Sequence, residues 1–534
     1  MRPPALSLTR AIFGPLTTTS VSVIVTLFLE IRSIHVAPFQ LVSQNRTVAM
    51  SGSPTKKAVS PSKKATASPK AALANPSKKP ANPTTMPASP SKKGAASPKV
   101  AIPASPAKRA ATSPRKGEST PNKKMKLVGY ENFVRHNPKS DRFTMHKFHH
   151  IEFYTQDATN VSKRFGWAAG LKVVAKSDQS TGNHAYASYV LQSGELKIAI
   201  TAPYSRKNQK EGHVPPHPGF NVDFAHEFCN KHGLAVRAMA ISVDDAALAY
   251  ELSTKHGAVG VCPPKTVKCA KSHTTQVLSS VKFYGDVVLR FVSGDYKGRF
   301  QPGYEDVEGP DVSIGLERLD HAVGNVPNLI EAVQYVCGFT GWHEYAEFTA
   351  EDVGTVDSGL NSMVLANNNE MILLPMNEPT FGTKRKSQIQ TFLEQNEGPG
   401  LQHMALKTND IFHTLAEMRK RTHLGGFDFM PKPSAAYYKN LPTKIGDVFT
   451  AAQYEQIEQL GLLVDKDDQG ILLQIFTKPL GDRPTCFFEI IERVGCMEDI
   501  GGRLEQAAGC GGFGKGNFSE LFKSIEDYER SLDV

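Results

Sequence analysis

The chain has 534 residues, with 62 Lys and Arg against 52 Asp and Glu, long enough for several cores and about three domains. Its net charge of +10 is unevenly spread: residues 51–127 hold 17 Lys and Arg against the single acid Glu118, residues 1–50 add a net +3, and residues 128–534 are left at −9. The body is therefore acidic, which excludes reading its surface as a nucleic-acid binder. The seven cysteines, at 229, 262, 269, 337, 486, 496 and 510, form no CxxC and are odd in number. That argues against a disulfide framework or structural zinc and for a reducing compartment.

At the start, Arg2 and Arg10 precede an apolar run from Val21 to Leu29 that is too short to span a bilayer. Residues 1–50 read either as a targeting segment, for a plastid or another organelle, or as sequence upstream of a true start at Met50. Without such targeting the expected compartment is the cytoplasm.

Residues 51–127 repeat a short unit, SPTKK at 53, SPSKK at 60 and 89, NPSKK at 75, SPAKR at 105 and TPNKK at 120. Large apolar residues are nearly absent, so burial cannot offset the entropy of ordering and disorder is expected. The S/T-P-x-K/R unit resembles the tails of linker histones. Spaced lysines suit phosphates in a salt-dependent way, and proline-directed phosphorylation of the serines would cancel that charge. A solvated spacer explains the same composition. Nucleic acid is thus a partner only through this tail, and no membrane partner is expected.

The body, 128–534, echoes itself. FHHIEFYTQDATNVSKRFGWAAGLKVVAKSD from Phe148 matches LDHAVGNVPNLIEAVQYVCGFTGWHEYAEFTAED from Leu319, each reading as strand, helix, turn and strand. ASYVLQSGELKIAITAP from Ala187 matches NSMVLANNNEMILLPMNEP from Asn361 as two strands around a polar turn. The pattern recurs within each half, where VRAMAISVDDAALAYEL from Val236 aligns with LQHMALKTNDIFHTLAEM from Leu401. Asp410 is placed to cap a helix whose stripe is Ile411, Leu415 and Met418. The expected architecture is α+β, four βαβββ modules in two pairs: an N-terminal domain over 128–310 and a C-terminal domain over 311–534.

The repeat exposes an asymmetry. His150 is the counterpart of His321, but Ala238 is the counterpart of His403. Only the second half has a histidine in both first strands. If paired modules close into an incomplete barrel, those two imidazoles meet, and a carboxylate would complete a two-histidine, one-carboxylate facial triad, an arrangement that suits Fe(II). The leading carboxylate is Glu489 in TCFFEIIERVG, a lone acid in an apolar strand that shares a face with Phe487 and Ile491. Its rivals are Glu492, which reads as a surface charge beside Arg493, and Glu394, which reads as part of a polar loop.

The chain carries the motifs LDHAVGNV, GLNSMVLAN, LLPMNEP, GTKRKSQIQTFLEQNEGPGLQHMAL, GGFDFMP, DDQGILLQIFTKPLGDRPTCFFEIIERVG and GCGGFGKGNFSELFKSIE. By these, over residues 130–532, it resembles the 4-hydroxyphenylpyruvate dioxygenase family of the vicinal oxygen chelate superfamily, most closely its plant and algal forms. The resemblance implies two open barrels, the first without metal, and Fe(II) held by His321, His403 and Glu489. It implies a substrate pocket of Ser362, Asn377, Gln388, Gln402, Gln474, Phe476, Phe487, Phe513, Asn517 and Phe518, with Gln388, Gln474 and Phe476 taking part in catalysis. Gln402 adjoins His403 and would point away from it in an ideal strand. The chain departs from the family at Gln395, where the family often has His. The implied reaction takes 4-hydroxyphenylpyruvate and O2 to homogentisate and CO2 in tyrosine and phenylalanine breakdown, by a homodimer.

GCGGFGKGNFSELFKSIEDYERSL reads as a Gly-rich hinge and an amphipathic helix with Leu521, Ile525 and Tyr528 on its buried face, expected to close the pocket against water. Three alternatives stand beside this reading: a hydroxymandelate synthase-like oxygenase with the same substrate, a nucleic-acid binder acting through the tail, and an inactive binding protein of the same fold.

Overall fold

Each quarter of the body is built as a strand, a helix and three more strands. The first module is β1 (Met145–Tyr154), α1 (Ala158–Ala169), β2 (Lys172–Ser177), β3 (Tyr186–Ser193) and β4 (Leu196–Pro203). The second is β5 (Ala235–Val243), α2 (Ala246–Lys255), β6 (Gly260–Lys268), β7 (Thr275–Tyr284) and β8 (Val287–Gly294), followed by the two-residue β9 (Glu305–Asp306). The third is β10 (Leu316–Asn325), α3 (Leu329–Thr340), β11 (His343–Phe348), β12 (Leu360–Ala366) and β13 (Leu373–Pro379). Helix α4 (Gln388–Gln395) then leads to the fourth: β14 (Gly400–Thr408), α5 (Ile411–Thr422), β15 (Leu463–Lys466), β16 (Gly470–Phe476) and β17 (Phe487–Gly495). A hairpin, β18 (Met497–Ile500) and β19 (Arg503–Gln506), precedes the C-terminal helix α6 (Phe518–Leu532). This computed structural model describes residues 125–354, 358–500 and 502–532. The expected targeting segment and the basic repeats up to residue 124 lie outside the described residues.

The module helices start where a short polar side chain takes over an orphan backbone N–H. Asp157, Asp245, Asn328 and Asp410 each accept from a first-turn amide of α1, α2, α3 and α5. Helices α1 and α3 stop at Gly170 and Gly341, both left-handed. The expected stripe of α5 is buried at Ile411, Leu415 and Met418. The stretch around Glu394, expected to be a loop, is instead helix α4, capped by Ser387 with Ile389 and Phe392 buried. The i, i+3 apolar spacing outweighs the polar residues between them.

The modules pair into two mixed sheets, ordered β6-β7-β8-β5-β1-β4-β3-β2-β9 and β11-β12-β13-β10-β14-β17-β16-β15. In each, the two first strands are antiparallel neighbours, β1 with β5 and β10 with β14. Each first strand is flanked by the last strand of its own module in parallel. Side chains on these central strands are therefore held by hydrogen-bonded backbone on both sides. Both sheets lie in one compact unit and share one hydrophobic cluster. There Phe165 of α1 packs edge-on to Phe427 at 5.2 Å and to Phe488 at 5.7 Å.

Two features differ from the sequence reading. Residues 128–142 run along the second sheet rather than the first: Tyr130 stacks on Phe348 at 5.3 Å, and the Arg142 backbone N–H donates to the Thr340 carbonyl at 2.9 Å. Met125 and Leu127, at the end of the tail segment, pack against the core. Cys496 and Cys510 form a disulfide, with Cα atoms 5.8 Å apart, where unbridged thiols were expected. The β18–β19 hairpin folds the chain back, so two cysteines of unremarkable spacing meet. The other described cysteines are free.

Candidate metal centre

Strand β17 reads FFEIIERVG, and its alternation sorts the side chains. Phe488 and Ile490 enter the shared core, so Phe487, Glu489, Ile491 and Arg493 face the interior of the second barrel. Register then fixes the neighbours. On β14, His403 lies opposite Phe487 and Ala405 opposite Glu489. On β10, His321 lies opposite Ala405 and Val323 opposite His403. The two imidazoles and the carboxylate thus converge from three adjacent strands, and their ligand atoms lie within 4.8 Å of one another. His321 Nε2 is 3.1 Å and His403 Nε2 3.5 Å from the same Glu489 oxygen.

Each imidazole is turned by a partner on its far nitrogen. His321 Nδ1–H donates to the Asp320 carboxylate at 3.0 Å, and His403 Nδ1–H donates to the Gln402 amide oxygen at 3.0 Å. Both Nε2 lone pairs are left for the centre. The electrostatics suit a cation. Burial alone would raise the Glu489 carboxyl, but the two imidazoles outweigh it and hold it at about 2. Burial pulls His403 down despite Glu489, whereas for His321 the Glu489 and Asp320 carboxylates outweigh burial and raise it. Two neutral-capable nitrogens and an ionised carboxylate, all buried, form a donor set that fits a divalent metal. Among the described residues this is the one such grouping.

The triad lies in the wall of a cavity that is partly open to solvent. Ser362, Asn377, Gln388, Gln402, Gln474, Phe476, Phe487, Phe513 and Phe518 all line it. Asn517 does not; it is fully buried beside the cavity, where its carboxamide oxygen accepts from the Tyr437 hydroxyl at 3.0 Å. Gln402 reaches the cavity although it adjoins His403, because the register of β14 with β10 slips there, His403 lying opposite Val323 and Leu401 opposite Gly324, which leaves Gln402 as the bulged residue. Phe487 stacks on His403 at 4.9 Å, and Phe513 meets His321 edge-on at 5.3 Å. The Gln388 amide oxygen is buried without a hydrogen-bond partner. Gly514 has φ +75°, and a Cβ there would sit 2.6 Å from the Gln474 amide, so the hinge glycine allows backbone to press on a cavity side chain.

The rivals for Glu489 are elsewhere. Glu492 is half-buried rather than a surface charge and accepts from the first amide of α5, Ile411 N–H, at 2.9 Å. Glu394 pairs with Lys386 at the surface of α4. Helix α6 covers the cavity with Leu521, Phe522 and Ile525.

No family model matches the chain. A curated relative, the 4-hydroxyphenylpyruvate dioxygenase of Daucus carota, is 59% identical over 415 residues, covering 77% of this chain and 93% of that protein. The chain belongs to the 4-hydroxyphenylpyruvate dioxygenase family. The 4-hydroxyphenylpyruvate dioxygenase of Arabidopsis thaliana is 57% identical over 422 residues, covering 77% of this chain and 94% of that protein. Among solved structures, a mutant of 4-hydroxymandelate synthase from Streptomyces coelicolor matches with a TM-score of 0.58 at 22% identity, covering 72% of this chain and 99% of that one. That likeness concerns the fold.

In this member of the 4-hydroxyphenylpyruvate dioxygenase family, the residues of the site that the sequence reading missed include Asp320, Phe348, Arg493 and Phe522. Phe348 and Phe522 line the cavity, and Asp320 and Arg493 stand behind His321. For Arg493 the signal was present, since the alternation that turns Glu489 inward also turns Arg493 inward.

Proposed function

We propose that the protein converts 4-hydroxyphenylpyruvate and O2 to homogentisate and CO2, with Fe(II) held by His321, His403 and Glu489. The observation that supports this most is the meeting of two imidazoles and one carboxylate in the wall of a cavity lined by aromatic side chains, in a chain of that family. Bound there, Fe(II) would supply open coordination positions for the α-keto acid and O2, and the substrate itself would supply the electrons. The protein's part is to place the substrate and keep water out. Gln388, with its unpartnered amide oxygen, and Gln474 orient the phenol. Asn377, tied to Asn325 at 3.2 Å, and Ser362 add polar contacts on the β12–β13 side. Phe476 and Phe487 flank His403 and hold the substrate ring against the centre. Helix α6 closes the cavity through Leu521, Phe522 and Ile525, so that the oxidising chemistry proceeds in a dry site.

Among the described residues, no helix is long and apolar enough to cross a membrane. The test is an anaerobic titration with Fe(II) and 4-hydroxyphenylpyruvate, an oxygen pulse, and identification of the product. Homogentisate with one CO2 per turnover is expected. Hydroxymandelate would move the reading to the alternative reaction, and no consumption of substrate would end it.

A further inference from the structure

Asp320 and His321 are neighbours on β10, and in a regular strand their side chains would point to opposite faces. They do not, because the register with β14 slips between Leu319 and His321. That bulge turns the Asp320 carboxylate onto the far side of the His321 ring, the kind of re-aiming bulges provide beside functional sites. Asp320 is then held from behind by Arg493, whose Nη2 lies 2.8 Å and Nε 3.1 Å from the carboxylate, both side chains being fully buried. The remaining nitrogen of the guanidinium is also used. Arg493 Nη1 donates to the carbonyls of Cys510 at 2.5 Å and Gly512 at 2.7 Å, the glycine-rich segment just before Phe513 and α6. One planar fork therefore joins the carboxylate behind a candidate ligand to the hinge of the cover.

The first sheet supplies an internal control. It keeps the same bulge, with the register slip falling between Phe148 and His150, but the residue at the Asp320 position is His149. Its ring contacts His150 Nδ1 to Nδ1 at 2.7 Å. By the pairing of β7 with β8 and of β16 with β17, the counterpart of Arg493 is Gly294. The carboxylate and its arginine occur together only in the sheet that carries the triad. A buried ion pair is seldom a net source of stability against well-packed apolar residues, so packing alone does not account for it.

We propose that Arg493 and Asp320 are positioning residues: the pair fixes the His321 imidazole, with Nε2 toward the metal, and fastens the hinge of α6 to that same ligand. The inference rests on the reading of His321, His403 and Glu489 as a metal site. Loosening the pair weakens the metal, and loosening the fork frees the cover.

The test uses the full chain and Co(II), whose d–d absorption reports the ligand field. Wild-type protein should give a Co(II) band that is lost in His403→Ala; a band indifferent to His403 would overturn the metal reading itself, and this inference with it. The double variant Asp320→Asn with Arg493→Gln removes both charges without leaving either buried alone. It should bind Co(II) about 10- to 100-fold more weakly, with a shifted band. Arg493→Lys keeps the charge opposite Asp320 but lacks the fork. It should retain Co(II) while limited proteolysis cuts faster between residues 509 and 517. A folded double variant with unchanged Co(II) affinity and spectrum, or Arg493→Lys cleaved at the wild-type rate, would overturn the proposal.

Discussion

The two sheets are built to one plan and differ at a few side chains on the central strands. In the second sheet, Glu489 on β17 faces His321 and His403. In the first, the same register positions carry Arg290, His150 and Ala238. Arg290 donates to His150 Nε2 at 3.0 Å, to His217 Nε2 at 3.1 Å and to the Glu152 carboxylate at 2.7 Å. A guanidinium thus sits among two imidazoles and a carboxylate, where the second sheet offers two imidazoles and a carboxylate to an ion. Burial, with Arg290 alongside, holds His150 and His217 well below the usual imidazole range. The lesson is that one barrel can hold a fixed cation of its own or a seat for an exchangeable one, and a change from arginine to glutamate on the last strand separates the two.

The comparison breaks most decisively at Glu489. Glu489→Gln should abolish metal binding and lower turnover beyond the ~10–100-fold that disturbing an outer partner costs, read by metal analysis and oxygen uptake. At the matching position, Arg290→Met should cost about 3–5 kcal/mol of stability, because Glu152 is left buried and unpaired. Chemical denaturation would show this, while metal stoichiometry should not change. A smaller effect is expected from Cys496→Ser. The bridge closes a loop of sequence separation 14, which by chain entropy is worth up to about 3 kcal/mol. The loss should appear as a lower Tm that reductant reproduces in the wild type.

The smallest effect concerns helix α6, which covers the cavity of the second sheet. Burial on α6 pushes the Glu529 carboxyl up to about 7, against the pull of Arg385 and Lys386 and with Glu526 adding to the rise. The docked form holds this proton more tightly than the free helix does. Its contribution is full below the ordinary carboxyl range, falls as pH rises toward about 7, and is flat above. Proteolysis of α6 should therefore quicken between pH 5 and 8 in the wild type, and Glu529→Gln should remove most of that dependence.

Much of this was legible because the chain says things twice. The repeat gave the four modules, and the missing partner of His403 at Ala238 pointed to one furnished half. Strand alternation turned Glu489 inward without any structure. What the sequence hid depends on local geometry. Period-two reasoning turns Asp320 away from His321, and only the bulge in β10 brings it back. Arg493 was screened by Glu492, a half-buried helix cap that reads as surface charge. The 496–510 bridge depends on a hairpin that cysteine counting cannot see. Residues 128–142 follow the tail in sequence yet belong to the second sheet in space.

The central claim is that a single ion sits in the second sheet and none in the first. An anomalous difference map at the iron edge, from crystals of Fe(II)-loaded protein, tests it directly. The account predicts one peak per chain, between His321 Nε2, His403 Nε2 and the Glu489 carboxylate. A peak placed elsewhere, or a second one beside Arg290, would contradict it.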